Sequence, residues 1–292
     1  MIEVDLHLHT VYSDGRLSPA ELVQLCARRG LKAIAITDHD STEGIPEALS
    51  AAEDFGDLSV VQGVELGTDT AGGEVHLLGY YVNRQDRRFQ RVMAEMREGR
   101  DERARQMVAK LNTLGVNISW DRVRELSGGG AVGRPHVAQA MVEGGYVEYP
   151  RDAFDRYLGR NGSAYVERVK LTPVTAVELL VSNGALPVMA HPIYYMAGSA
   201  PSEVAKLKRT LTEMKEAGMV GMEVYYAQYS SDEVEFLAGL ADEMALIPCG
   251  GSDYHASGNP GEPEPGSAGP PMATVTALIS LKKQTAAKSG QV

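Results

Sequence analysis

Cysteine is nearly absent from this 292-residue chain: Cys26 and Cys249 are the only two, and neither lies in a CxxC pair. That excludes a disulfide framework and a thiolate zinc site of the finger type. No apolar run approaches the roughly 20 residues that a membrane span needs. Basic residues are in deficit, 28 Lys and Arg against 39 Asp and Glu, and the resulting charge of −11 argues against a protein that coats long nucleic acid. A small phosphorylated substrate stays open, because bound divalent cations reverse the local sign of a carboxylate-rich pocket. The opening Met1-Ile2-Glu3-Val4-Asp5-Leu6 has neither a basic region nor a cleavage site and reads as a strand, not a signal peptide. With so little cysteine, the expected home is the reducing cytoplasm.

Histidine is also scarce, yet six of the seven sit in short motifs with carboxylates or a proline at hydrophobic strand ends. These are Asp5-Leu6-His7-Leu8-His9 with Asp14 close behind, Thr37-Asp38-His39-Asp40, Gly63-Val64-Glu65, Val75-His76, Ala190-His191-Pro192 and Ser252-Asp253-Tyr254-His255. A lone histidine is more often structural than a ligand. Six such motifs together point to a multinuclear metal site.

Hydrophobic runs alternate with helical patterns. Strands are expected at 2–8, 32–36, 58–65, 74–81, 186–190, 220–225 and 246–250. Helices are expected from Ser18-Pro19-Ala20-Glu21 to Gly30, near 45–54, and at 174–183, 202–217 and 232–243. The alternation implies a parallel sheet with crossover helices, and the polar motifs fall after strands, where barrels of this kind carry their chemistry. Residues 84–171 break the pattern. Phe89, Val92, Met93, Met96, Ala104, Met107, Val108, Leu111 and Leu114 follow helical spacing, and shorter helical pieces are expected at 120–126, 134–144 and 150–159. This reads as a helical insertion over the open face of a barrel formed by 1–83 and 172–292. Residues 84–110 hold nine Lys/Arg against five Asp/Glu. The favoured reading of that excess is a solvated face with ion pairs; the other is a guide for an anionic substrate or oligonucleotide. The Pro/Gly-rich stretch 258–271 is expected as an irregular surface loop.

His7 and His9, two apart on one strand, share a face and can chelate one ion. Imidazole and carboxylate donors without thiolate suit Mn²⁺, Fe²⁺ or Zn²⁺. A carboxylate such as Glu65 can bridge two ions, and clustered ions ~3.5–4 Å apart suit hydrolysis of phosphate esters.

In these motifs, taken in order, the chain resembles the PHP (polymerase and histidinol phosphatase) metallophosphoesterases over nearly its whole length. The resemblance implies a distorted (β/α)7 TIM-like barrel and three divalent ions, manganese being the first choice and iron or zinc the others. His7, His9, Glu65 and Asp253 would hold one; Glu65, His76 and His191 a second; Asp14, His39 and His255 the third. Glu65, Asp253, His191 and His255 are the expected catalytic residues, with a metal-bridging hydroxide attacking phosphorus in line. Asp38 and Asp5 are expected to orient ligand histidines. Gly133-Arg134-Pro135-His136, Ala153-Phe154-x-Arg156-Tyr157-Leu158-Gly159 and Ala164-Tyr165-Val166 resemble the branch that removes the 3′-phosphate of 3′,5′-bisphosphonucleotides or trims short RNA from its 5′ end. There the insertion contributes phosphate-binding residues: Arg134 first, whose fork matches phosphate oxygens, then Lys170, Ser127 and His136. The alternatives are a cyclic nucleotide or sugar phosphodiesterase, a histidinol phosphatase, or a non-catalytic metal-binding module.

Overall fold

The computed structural model describes residues 2–70, 73–167 and 171–289. Its elements, in chain order, are β1 (Val4–Leu8), α1 (Pro19–Arg28), β2 (Ala33–Ile36), α2 (Ile45–Ala52), β3 (Ser59–Thr70), β4 (Gly73–Tyr80), α3 (Arg87–Thr113), α4 (Trp120–Leu126), α5 (Arg134–Glu143) and α6 (Pro150–Ala153). After a π-helical turn, Phe154–Leu158, come α7 (Pro173–Asn183), β5 (Leu186–Met189), a 3-10 turn Pro192–Tyr195, α8 (Pro201–Glu216), β6 (Gly221–Tyr226), α9 (Ser231–Glu243), β7 (Ile247–Gly251) and α10 (Met272–Ser289). The seven strands lie side by side in chain order. The Asp253 backbone N–H donates to the His7 carbonyl and that of His9 to Tyr254, so the end of β7 returns to β1 and nearly closes the distorted barrel.

The sheet is not wholly parallel, and this corrects the sequence expectation. β4 runs antiparallel to both β3 and β5. β3 continues to Thr70, which pairs with Gly73, and two intervening residues are far too few for a crossover. Reversing β4 has a consequence for the site. Its N-terminal end lies beside the C-terminal ends of the parallel strands, so His76, opposite Gly67, joins residues that follow the other strands.

Strand alternation divides the apolar residues into two layers. In β2, Ile34 and Ile36 join the large cluster under the surrounding helices, while Ala33 and Ala35 join a second cluster with Val4, Leu6, Leu78 and Tyr80. Val275 and Leu278 of α10 belong to that second cluster. This helix, for which the sequence reading had no expectation, packs against the barrel end opposite the polar residues: Thr274 donates to the Pro248 carbonyl at the start of β7, and Gly269 lies against that of Val4.

Helices α3 to α6 fall within 84–171. The first half of α3 packs on the barrel through Phe89, Met93 and Met96, and the second half builds a separate apolar cluster with Val123, Val137 and Met141. Leu114, placed in the apolar series by its spacing, caps α3 and is half exposed. The solvated-face reading of α3 holds for Arg87, Arg88, Arg91 and Arg105 but not for Arg100 and Arg103, which are buried, Arg100 against Asp40 of the barrel. The Pro/Gly-rich stretch is irregular up to α10 and well anchored, because Gly266 N–H donates to Asp5 and Arg29 donates to the Pro265 carbonyl. No described helix is long and apolar enough to cross a membrane.

Candidate metal centre

Three backbone features aim the site. A Cβ on Gly251 would lie 2.5 Å from both the His7 nitrogen and Asp5 Oδ1, so only glycine lets β7 approach β1 this closely. His191 and Asp253 both adopt positive φ, 29° and 55°, conformations costly for residues with a Cβ and held here by their surroundings. His39 forms a parallel bridge with Glu65, delivering the end of β2 to the middle of β3.

All nine expected ligands converge. Glu65 lies at the centre and is buried: its Oε2 is 3.1 Å from His7 Nε2, 3.1 Å from His9 Nε2 and 3.2 Å from His39 Nδ1. Its Oε1 is 2.7 Å from His76 Nδ1 and 3.1 Å from His191 Nε2. Asp253 Oδ1 lies 3.2 Å from His7 Nε2 and 3.1 Å from His9 Nε2. Asp14 lies 3.3 Å from His255 and 3.6 Å from His39.

Three groups have donor atoms within 4.8 Å of one another: His7, His9, Glu65 and Asp253; His9, Asp14, His39 and His255; and His39, Glu65 and His76. The first has the membership implied by the family resemblance, and the second adds His9 to the implied Asp14 set. The third contains His39 where the resemblance has His191.

This geometry fits divalent cations. Five ring nitrogens cannot all donate well-formed hydrogen bonds to the two oxygens of one carboxylate. Accordingly His9 Nε2, His39 Nδ1, Asp14 Oδ1 and Asp253 Oδ1 are buried without a hydrogen bond, despite neighbours within 3.6 Å. Donors that crowd together without satisfying each other are arranged for a shared electrophile, and N/O donors without sulfur suit Mn²⁺, Fe²⁺ or Zn²⁺.

The electrostatics point the same way. Burial opposes charge on Glu65, yet the charged His7 and His76 rings hold its carboxyl well below the usual range. Burial holds the His39 ring down at about 3, so it is neutral and ready to ligate. Burial also opposes charge on His76 and His255, but Glu65 raises His76 to about 9, and Asp14 with Asp253 raises His255 to about 10. Both rings therefore carry protons near neutral pH that a cation must displace. Loading Mn²⁺ at about pH 7 is expected to release at least two protons per cluster, with affinity climbing toward about pH 10 as both rings deprotonate. In the metal-free protein the same ion pairs contribute stability that is fully present below about pH 6.5 and is lost as pH rises through these raised values. Titration in weakly buffered solution with a pH electrode checks the first point; cation uptake without proton release contradicts it.

Neighbouring residues hold the ligands in place. Glu223, which the motifs did not reveal, is fully buried on β6, accepts from His7 Nδ1 at 3.0 Å and from the His191 backbone N–H at 2.8 Å. That bond places the His7 proton on Nδ1 and leaves Nε2 free to ligate. Its only signal in the sequence is an acid alone inside the apolar run Gly221-Met222-Glu223-Val224. The Tyr226 hydroxyl donates to Asp253 Oδ2 at 2.8 Å. Asp38 and Asp5 contact no ligand ring directly, contrary to expectation. Asp38 accepts from Thr10 N, Thr10 Oγ1 and Ser13 Oγ, each at 2.7 Å, and so shapes the turn after His9; Asp5 accepts from the backbones of His7, Ser252 and Gly266. Asp38 thus holds the Thr10–Ser13 turn through one backbone amide and two hydroxyls, and Asp5 holds three backbone amides.

Of the expected phosphate contacts, Arg134 reaches the edge of the centre. Its guanidinium donates to Glu74 Oε2 at 3.1 Å, and Glu74 Oε1 lies 3.4 Å from His76 Nε2. Ser127 is buried at the end of α4 and donates to the Arg124 carbonyl, so its hydroxyl is engaged within its own helix. His136 accepts from Gly133 N–H at 3.0 Å and caps α5, with burial lowering its pKa. It nevertheless borders a cavity of about 280 Å³ beside Asp14 and Arg16. Lys170 lies outside the described residues. A larger cleft of about 530 Å³ opens beside Asp14, Asp253 and His255, between Arg151 and Phe154 on one side and the 257–263 loop on the other.

Comparison with known proteins supplies relatives for this arrangement. Residues 5–167 match the family model described as "PHP domain". A 3′,5′-nucleoside bisphosphate phosphatase of Chromobacterium violaceum is 33% identical over 262 residues, covering 89% of this chain and 90% of the relative. A 5′-3′ exoribonuclease of Haemophilus influenzae is 32% identical over 252 residues, covering 86% and 89%. A solved structure from Bifidobacterium adolescentis, provisionally described as a metal-dependent phosphoesterase, superposes with a TM-score of 0.85 at 28% identity over 95% of each chain.

Proposed function

Because the chain belongs to the PHP domain family and is a metal-dependent phosphoesterase, we propose that it removes the 3′-phosphate of 3′,5′-bisphosphonucleotides. The observation that carries this reading is Arg134, whose guanidinium stands at the rim of the centre, linked through Glu74 to His76. A monoester needs only the cluster; a second phosphate needs a second anchor, and a planar fork matches its oxygens. The Chromobacterium relative is named for such a substrate.

Three divalent cations, Mn²⁺ first, would be held by His7, His9, Glu65 and Asp253, by Asp14, His39 and His255, and by Glu65 and His76 with His191. When bound, such cations neutralise phosphoryl oxygens and lower the pKa of water at the site. The chain's own contribution is orientation. Glu223 fixes the His7 tautomer, Tyr226 aims Asp253, and Arg134 holds the remote phosphate so that the reacting one meets the cluster. The helices of 84–171 act in this reading as a cap that presents Arg134.

A second substrate, short 5′-phosphorylated RNA, is favoured by the roomy cleft beyond Asp14 and by the exoribonuclease relative.

The test is phosphate release from 3′-phosphoadenosine 5′-phosphate with Mn²⁺, identifying which phosphate leaves. Formation of 5′-AMP is the expected result. Arg134→Met should raise KM for this substrate about 10- to 100-fold, the worth of a hydrogen bond to a charged group, and leave a 3′-monophosphate nearly unaffected. Equal losses on both substrates would remove the anchoring role.

A further inference from the structure

We infer that Tyr194 is the platform on which the substrate's nucleobase stacks; this rests on the nucleotide reading above. Tyr194 follows His191-Pro192 in the 3-10 turn and is 56% exposed, the most exposed large hydrophobic among the described residues. Its ring centroid lies 5.7 Å from that of His191, so an object on the ring is beside the metal centre.

The ring is also held firmly. Its hydroxyl donates to Gln228 Oε1 at 2.5 Å. It packs edge-to-face with Tyr226 at 5.5 Å and with Tyr229 at 6.2 Å. The turn beneath it is pinned, because Ile193 N–H donates to the Tyr229 hydroxyl. Tyr226 and Gln228 line the same cleft as Asp14, Asp253 and His255.

The ring is thus fixed by its hydroxyl and its tyrosine neighbours while more than half of it stays exposed to water. It offers a preorganised π-face, so a flat ligand stacks without first ordering the side chain. Every nucleobase has such a face, which makes the platform indifferent to base identity. The structure thus divides recognition into three parts: the cluster for the reacting phosphate, Arg134 for the second phosphate, and Tyr194 for the base. Discrimination between a nucleotide and a sugar bisphosphate falls to the third.

The experiment compares kcat/KM for 3′-phosphoadenosine 5′-phosphate and for the abasic ribose 3,5-bisphosphate, with Mn²⁺, in wild type, Tyr194→Ala, Tyr194→Phe and Tyr194→Trp. Tyr194→Ala is expected to reduce the preference for the nucleotide about 5- to 150-fold, carried mainly by KM. The Phe and Trp variants, which keep a π-face, should retain it. An unchanged preference in Tyr194→Ala, or an equal loss on both substrates, overturns the platform while leaving the phosphatase reading intact. A wild-type enzyme that cleaves the sugar bisphosphate as well as the nucleotide also overturns it. Wild type that cleaves neither substrate overturns the nucleotide reading and the platform with it.

Discussion

Glu65→Gln should lower phosphoester hydrolysis about 10³-fold or more, the equivalent of several kcal/mol of transition-state stabilisation. Among the described residues no other side chain touches so many members of the centre: its two oxygens lie within 3.2 Å of five imidazole nitrogens. An amide keeps the shape but loses the charge, and it turns one acceptor into a donor facing rings that must themselves present lone pairs. Cation content should fall together with activity, because two of the three donor groups include Glu65. The check is kcat with added Mn²⁺ alongside elemental analysis of the purified variant. Full activity with a full complement of metal would sink the bridging role; full metal with lost activity would move Glu65 from holding cations to acting on substrate.

The second large effect lies outside the ligand set. Arg100, on α3, is buried and pairs at 2.5 Å with Asp40, which is fully buried and sits at a positive φ of 51° immediately after His39. Arg97, one helical turn earlier, donates to the Asp40 carbonyl and pairs with Glu43. The Asp40 N–H in turn donates to the Glu65 carbonyl at 2.9 Å. One face of α3 thus grips the loop that carries His39 and ties it to the strand that carries Glu65.

Arg100→Met leaves the buried Asp40 carboxylate without its guanidinium and is expected to cost about 3–5 kcal/mol, a fall in melting temperature on the order of 10 °C. Arg100→Met combined with Asp40→Leu should recover part of that loss, since an apolar pair of similar volume avoids a buried carboxylate that has lost its guanidinium. Thermal unfolding of the metal-free proteins reads this out. A single variant within about 1 kcal/mol of wild type would mean that the pair contributes no more than an exposed ion pair does.

Both expectations show how unevenly the site could be read from the chain. The ligand motifs were legible because metal chemistry restricts the side chains that can serve, and because His7, His39 and Asp253 stand where apolar runs stop. The α/β alternation was legible for a similar reason, since burial imposes a period on each element. Glu223 was not, because one acid in an apolar strand carries no spacing signal and its partner His7 lies on another strand. The inward direction of Arg100 was not, because helical spacing identifies a face without saying what that face meets. Tyr194 gave no signal at all, since an exposed aromatic in a turn is common.

By itself, then, the sequence determined the kinds of donor available, their attachment to strand ends and the succession of helices and strands. Tertiary structure alone decided that β4 runs antiparallel and so brings His76 to the common end, and that Asp38 holds Thr10 and Ser13, and Asp5 the main chain, instead of rings. It also decided that His39 stands with Glu65 and His76 in the third donor group. The physical reason is that donor chemistry is a property of one residue, whereas a coordination sphere is a property of distances. His7 and Asp253, near opposite ends of the chain, come within 3.2 Å only because the last strand of the barrel returns beside the first.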